Sequence, residues 1–302
     1  MGCLGRNNLE RTTCGRTLRA AALILALSLS LLAQTSSVAP GDLVRQTADN
    51  ELKAANDNIN FMFRSRRETP HGSQTKLFVQ TRDATAALLI AIDDRPLSQD
   101  QRRAEEARLQ TLVSNTDELR RKQKQEKEDA DRVSRIMHSL PNAFTYEYDG
   151  IETGRPGIGK QGDELVRLKF RPNPKFNPPT RVEQVLTGMT GYLLIDANQH
   201  RIAKIDGTLY RDVSFGWGIL GHLDKGGQFQ VDQASVSDGD TWQITRMTLN
   251  FTGKVLLFKN IVLKSNEIFS DFRRVRSDLT FAQGVDLLKR EENASAANRS
   301  GE

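Results

Sequence analysis

Apolar residues recur along this chain with two different periods, and the points where one gives way to the other mark its elements. Residues 42–57 carry Leu43, Val44, Ala48, Leu52 and Ala55 at helical spacing behind Asp42, a capping residue, which predicts a helix ending near Asn58. The period then drops to two. "NFMFRSR" puts Phe61 and Phe63 on one face, and "TKLFVQTR" and "ATAALLIAI" follow, with the turn signal "PHGSQ" between the first two, so an antiparallel meander is expected. Helical spacing returns at "PLSQDQRR", where Ser98 and Gln101 have the separation of a capping box, and runs to Leu140 and Pro141. Its apolar residues form two stripes: Leu109, Leu112 and Val113, then Val133, Ile136, Met137 and Leu140. No apolar residue lies between Arg120 and Asp129, so this is one long helix with a solvated middle or two linked helices, with Glu118 and Lys122 spaced for an i,i+4 pair.

Beyond Pro141 the pattern is mostly that of strands: "FTYEYDG", "LVRLKF", "GYLLID", "RIAKIDGTLYRDVSF", "QFQVDQASV", "TWQITRMTLNF", "KVLLFKNIVL" and "EIFSDFRRV", separated by Gly, Asp and Asn. One short helix interrupts them, because Thr180 and Glu183 form a second capping box and Val182, Val185, Leu186 and Met189 share a face. From Gly284 the apolar content fades, and residues 284–302 read as a disordered tail. So many consecutive strands with few helices exclude a doubly wound parallel sheet, which needs a crossover between neighbours. The expected fold is mainly β with α: a large curled antiparallel sheet, a half-barrel, with helices over its concave face and a long charged helical segment at 98–140. A sheet of that kind, covered by helices, encloses an apolar cavity.

The N-terminus changes the picture. Arg16 and Arg19 precede the apolar run "AAALILALSLSLLA", and small polar residues follow, as in a secretory signal peptide ending at residue 33. The run is shorter than the roughly 20 residues that span a bilayer, although the uncharged stretch continues to Gly41, which leaves an uncleaved inner-membrane anchor as the alternative. Cleavage removes four arginines and one glutamate and lowers the formal charge from +5 to +2. It also removes Cys3 and Cys14, so the mature chain, one domain over residues 40–283, has no thiol for a disulfide or a Cys-based metal site. An exported chain without disulfides suits a bacterial periplasm.

Candidate chemistry is sparse. "GRPGIGKQG", residues 154–162, matches G-x-x-x-x-G-K through Gly154, Gly159 and Lys160, but Gln161 stands where Ser or Thr would hold magnesium. A phosphate loop leads a strand into a helix N-terminus, whereas this segment joins two strand patterns and reads as a hairpin loop. The G-x-G-x-x-G matches at Gly157 and Gly216 open no βαβ unit either. The basic run at 120–124 is followed by Glu126, Glu128, Asp129 and Asp131, which cancel the field that attracts nucleic acid. Four scattered histidines give no metal-ligand pair, and no nucleophile, base and acid can be grouped, so no enzyme, cofactor or metal is expected. "FGWGILGHLDKGG" reads as an apolar flap or turn whose Phe215, Trp217, Ile219 and Leu220 either cover a ligand or plug the local core.

Residues 189–274 resemble the lipoprotein-localisation factor superfamily: the half-barrel carriers and receptors of outer-membrane lipoproteins, the periplasmic stress-regulator domain and, more closely, their secreted relatives. The resemblance is carried by "GYLLIDANQHRIAKIDG", "FGWGILGHLDKGGQF", "TWQI", "KVLLFKNI" and "FSDFRRV". The chain departs from the carriers in its long charged segment 98–140. The resemblance implies a helix-covered half-barrel that binds a lipid, a lipoprotein acyl chain or another apolar ligand without catalysis. It places Phe215, Trp217, Ile219, Leu220, Trp242, Ile244 and Phe258 at the cavity or its lid. Membrane contact is then transient or made by an uncleaved N-terminal segment. The rival reading is an envelope interaction or sensor protein whose cavity is self-filled and whose long helix docks a protein partner.

Overall fold

The structure, a computed structural model, describes residues 38–215, 221–236, 241–255 and 259–300. The first helix, α1 (Pro40–Ala54), opens on a proline, whose fixed φ suits the first turn, and buries Leu43, Val44, Thr47 and Ala48. Strands β1 (Asn60–Thr69), β2 (Gly72–Val79) and β3 (Ala86–Ile92) form the expected meander, with the two-residue β4 (Arg95–Pro96) beyond it. Ser98 and Gln101 form both bonds of a capping box and start α2 (Gln99–Ser114). Asn115 then ends α2 and caps α3 (Thr116–Ala143), accepting from the amides of Asp117 and Glu118 at 3.0 and 3.2 Å. The charged segment is thus two helices. In its solvated middle Glu118 pairs with Arg121 at 2.9 Å, and Lys122 with Glu126 at 2.7 Å, in place of the Glu118–Lys122 pair that spacing alone suggests.

The remaining strands are β5 (Phe144–Thr153), β6 (Glu164–Pro172), β7 (Met189–Asp196), β8 (Ile202–Leu209), β9 (Val213–Phe215), β10 (Gly221–Leu223), β11 (Gln228–Val236), β12 (Thr241–Val255) and β13 (Lys259–Val275). The short α4 (Arg181–Gln184), capped by Thr180, and a 3-10 turn at Val185–Gly188 separate β6 from β7. All thirteen strands form one antiparallel sheet in the order β4-β3-β2-β1-β13-β12-β11-β8-β7-β6-β5, with the β9–β10 hairpin beside β12. The two ends, β4 and β5, do not meet, so the sheet is open.

Register fixes the two faces, because directly paired residues point the same way. The paired line Leu193, Ile205, Val231, Met247, Glu267 and Arg67 marks one face across six strands, called here the near face. On it Leu43 and Val44 of α1, Leu140 and Ala143 of α3 and Leu186 of the 3-10 turn pack on Phe144, Leu168, Phe170, Leu193, Ile195, Ile202, Leu209 and Phe251. Three of the segments expected to cover the sheet therefore do so. A second core lies on the far face, where Met62, Leu77, Val79 and Leu88 meet Leu109 of α2 and Phe281, Val285 and Leu288 of α5 (Phe281–Ser300). Helix α3 reaches both cores, through Leu119 to the second and Ile136, Met137 and Leu140 to the first.

The expectation of a disordered tail from Gly284 is corrected by α5. Thr280 and Gln283 cap it reciprocally, at 3.2 and 2.9 Å, and the Phe281 amide donates to Asp83 at 2.9 Å. Only its first two turns are apolar, on a single stripe, and the polar second half masked them in the sequence. Residues 1–33, read as a signal peptide, lie outside the described residues.

Candidate functional site

Two interruptions of the sheet create space. Strands β12 and β13 pair from Val255↔Lys259 to Arg246↔Ile268 and then part: residues 241–244 pair only with β11, and β13 beyond residue 268 pairs only with β1. Arg274 donates to the Thr241 hydroxyl across the fork at 2.7 Å. The second interruption is a bulge on β13, where Asp271 takes the left-handed φ of 58° that aspartate tolerates, and Arg64 binds its carboxylate at 3.0 Å.

A cleft of about 520 Å³ opens at the fork, between the C-terminal end of α1, the start of β1, the end of β2 and the first residues of β12. Its large apolar side chains are Trp242, Ile244 and Ile59, with Ala54 and Ala55 beside them, and amide and hydroxyl side chains supply most of the rest, among them Gln80, Thr81, Thr85, Gln233, Thr241 and Gln243. One wall is fixed by charge. Arg201 holds Glu51 of α1 through two bonds of 2.9 and 3.0 Å, the Ile202 amide donates to the same carboxylate at 2.8 Å, and the guanidinium lies 5.8 Å from the Trp242 ring centre. Asn50 donates to the Gln199 carbonyl at 3.2 Å, and the Trp242 indole N–H is taken by the Gln199 side chain. The end of α1 is thus tied to the β7–β8 turn and to the tryptophan beside it.

Next to the cleft, the near face of β2, β1 and β13 carries an aromatic cluster. Phe63 stacks on Phe78 at 5.1 Å and on Phe272 at 5.5 Å, with Phe269 at 6.1 Å, and Phe61 meets Phe272 edge-on at 6.3 Å. Phe61 is fully buried; the other four are partly exposed and belong to neither helix-covered core. At the bulge a further space of about 420 Å³ opens toward the far face, lined by Met62, Arg64, Leu77 and Arg273 with Phe63 and Phe272, and by Glu291 of α5.

Of the residues singled out from sequence, Trp242 and Ile244 line the cleft, and Phe215 packs against the near-face core. Trp217, Ile219, Leu220 and Phe258 lie outside the described residues. The aromatic cluster was half visible, since Phe61 and Phe63 alternate on one face, but its union with Phe269 and Phe272 depends on β1 pairing with the last strand. The Glu51–Arg201 pair joins residues 150 positions apart and left no local signal. The "GRPGIGKQG" segment is the β5–β6 loop, with no helix after Lys160. It turns back over the far face: the Gly159 amide donates to the Gln233 carbonyl at 2.7 Å, the Thr245 hydroxyl to the Gly157 carbonyl at 2.6 Å, and Ile158 packs with Leu165, Leu194, Ala203 and Trp242. Gly159 has φ of 74°, and a Cβ there would lie 2.9 Å from Leu165, so the glycines serve the turn and the close approach.

No protein-family model matches the chain, and no curated protein matches it in sequence. Two solved structures resemble it. One is a putative outer membrane lipoprotein-sorting protein domain from Vibrio parahaemolyticus, 10% identical, with a TM-score of 0.30 over 82% of this chain and 99% of that one. The other is a DUF1329 family protein from Desulfovibrio piger ATCC 29098, 10% identical, with a TM-score of 0.27 over 83% of this chain and 100% of that one. At these scores neither likeness brings a ligand or a site residue to this chain.

Proposed function

We propose that this chain is an exported, periplasmic, non-enzymatic binding protein for an amphipathic ligand of the lipid or acyl-chain class. The observation that carries the reading is the partly exposed cluster Phe63, Phe78, Phe269 and Phe272, on the same sheet face that α1 and α3 cover elsewhere and beside a cleft of about 520 Å³. That volume falls in the usual range of ligand pockets, roughly 300–1,000 Å³. The two parts differ in chemistry, and the difference selects the ligand. An acyl chain lies along the phenylalanines, and its polar end meets the glutamines and threonines of the cleft.

The magnitudes support reversible binding. A chain of about 15 methylenes gains on the order of 12 kcal/mol gross at about 0.8 kcal/mol per methylene, and ordering the ligand and desolvating the cleft offset much of it. The test is titration of the full chain with a fluorescent fatty-acid probe, together with solvent extraction of the protein isolated from its own envelope fraction. Enhanced probe emission and a co-purifying lipid are expected. Phe269→Ala should weaken the probe about tenfold, the loss of roughly half of a buried aromatic contact, and Ile244→Ser should act at the other end of the site. A chain that enhances no probe and yields no lipid would remove this reading.

One observation favours the rival reading, an envelope interaction protein docking through α3: where α1, α3 and the 3-10 turn lie on the sheet, the space is filled by the protein's own side chains. Absence of lipid, with loss of an envelope partner on charge-neutralising α3 between 120 and 131, would favour it.

A further inference from the structure

The bulge on β13 builds a second site, on the far face. Phe63 of β1 stands opposite both Asp271 and Phe272, and Asp271 has its left-handed φ of 58° there. An extra residue in that conformation re-aims a side chain, and such features recur beside binding sites. Pairing resumes at Met62↔Arg273, while Arg64 pairs with Leu77, so Arg64 and Arg273 stand on adjacent rows of the face that carries Met62 and Leu77. Both arginines reach the space of about 420 Å³. Met62 and Leu77 are buried and form its floor, Phe63 and Phe272 border it at the bulge, and Glu291 of α5 closes one side.

The charged groups of this pocket come in two pairs. Arg64 Nε donates to Asp271 Oδ2 at 3.0 Å, and Arg273 Nη2 pairs with Glu291 Oε1. Each pair uses one nitrogen and one oxygen. The remaining guanidinium nitrogens, Asp271 Oδ1 and Glu291 Oε2 have no hydrogen-bond partner among the described residues. Two cations and two anions balance, so a ligand of net charge is attracted by one set and repelled by the other, whereas a zwitterion is complementary to both. The buried methionine and leucine select an apolar body joined to that zwitterion, and the volume lies low in the usual range of ligand pockets, roughly 300–1,000 Å³. We infer that this pocket binds a small apolar α-amino acid such as leucine or methionine. Its carboxylate meets Arg64 and Arg273, its ammonium meets Asp271 and Glu291, and its side chain lies on Met62 and Leu77. The site includes neither Phe269 nor any residue that lines the cleft at the fork, so it does not rest on the ligand reading.

The experiment is isothermal titration calorimetry of the full chain with leucine, methionine and phenylalanine, and with two analogues that each lack one charge. Leucinamide has no carboxylate, and N-acetylleucine has no ammonium. Leucine should bind, and both analogues should bind about tenfold more weakly, since each leaves two of the four charged groups unmatched. Asp271→Asn keeps the left-handed turn, which asparagine also adopts. It should weaken leucine about tenfold and leave N-acetylleucine unchanged, whereas Arg273→Gln should weaken leucine as much and leave leucinamide unchanged. This crossed pattern assigns a partner to each charge of the ligand. The comparison of leucine with its analogues uses the parent chain, and decides the matter should either substitution unfold the protein. Lysophosphatidylethanolamine, which carries the same two charges on a lipid, is titrated beside them. Absence of heat with all three amino acids, analogues bound as well as leucine, binding indifferent to both substitutions, or binding of the lysolipid in place of the amino acids would overturn the assignment.

Discussion

Single side chains decide how the helices are held to the sheet. The Tyr146 hydroxyl donates to the Leu140 carbonyl at 2.6 Å in the last turn of α3, where Pro141 interrupts the regular bonding. Burial pushes this phenol well above the ordinary tyrosine range, because the ionised form would put an unpaired charge in the near-face core. The sign follows. The fold prefers the neutral form, so the contribution is intact below the unfolded value of about 10 and is lost as pH rises beyond it. An alkaline absorbance titration should show one phenol that ionises only as the protein unfolds, and Tyr146→Phe should abolish that step while lowering stability by about 1 kcal/mol. The Glu51–Arg201 pair makes a second residue-scale prediction. Both side chains are largely but not wholly buried, so Glu51→Ala should cost about 2 kcal/mol in urea unfolding, below the full penalty for a buried pair. It should also weaken probe binding, because it frees the wall of the cleft.

At the scale of elements, α5 is the piece whose role the structure changes most. Leu288 is fully buried against the meander, and Gly284 lies so close that a Cβ there would stand 2.6 Å from Thr81. Leu288→Ala should lower stability by about 2–4 kcal/mol in a thermal or denaturant melt, whereas an extended tail would register almost nothing. The same helix marks the limit of what the sequence reveals. Runs with a period of two predicted the strands, and the Ser98–Gln101 and Thr180 caps predicted where helices start, since both depend on neighbouring residues. Pairings between distant segments were not legible: β1 with β13, Gly159 with Ala234, and the parting of β12 from β13. The cleft is a product of such pairings, so Trp242 and Ile244 were readable as strand residues while Glu51, Gln80 and Arg201 were not readable as their companions.

Across the whole molecule, the sheet buries apolar side chains on opposite faces at its two ends, and α3 is the helix that reaches both cores. Leu119 anchors it to the far-face core and Ile136, Met137 and Leu140 to the near-face core, with a middle from 120 to 131 that rests on ion pairs within the helix and on the Thr85 amide, which donates to the Glu126 carboxylate at 3.0 Å. Exposed pairs of that kind contribute only tenths of a kcal/mol each. The middle therefore adds little stability of its own and serves as a rigid link, so loss of either core releases the helix from the other. Ala130 is exposed in this link, and Ala130→Pro should break it at a cost of about 3 kcal/mol without touching either core. The parent chain should unfold in one calorimetric transition, because the continuous sheet and the intact helix both join the cores. The proline variant should broaden or divide that transition, with the near-face core, deprived of the end of α3, melting first. An unchanged single transition at a lower temperature would assign the cooperativity to the sheet alone.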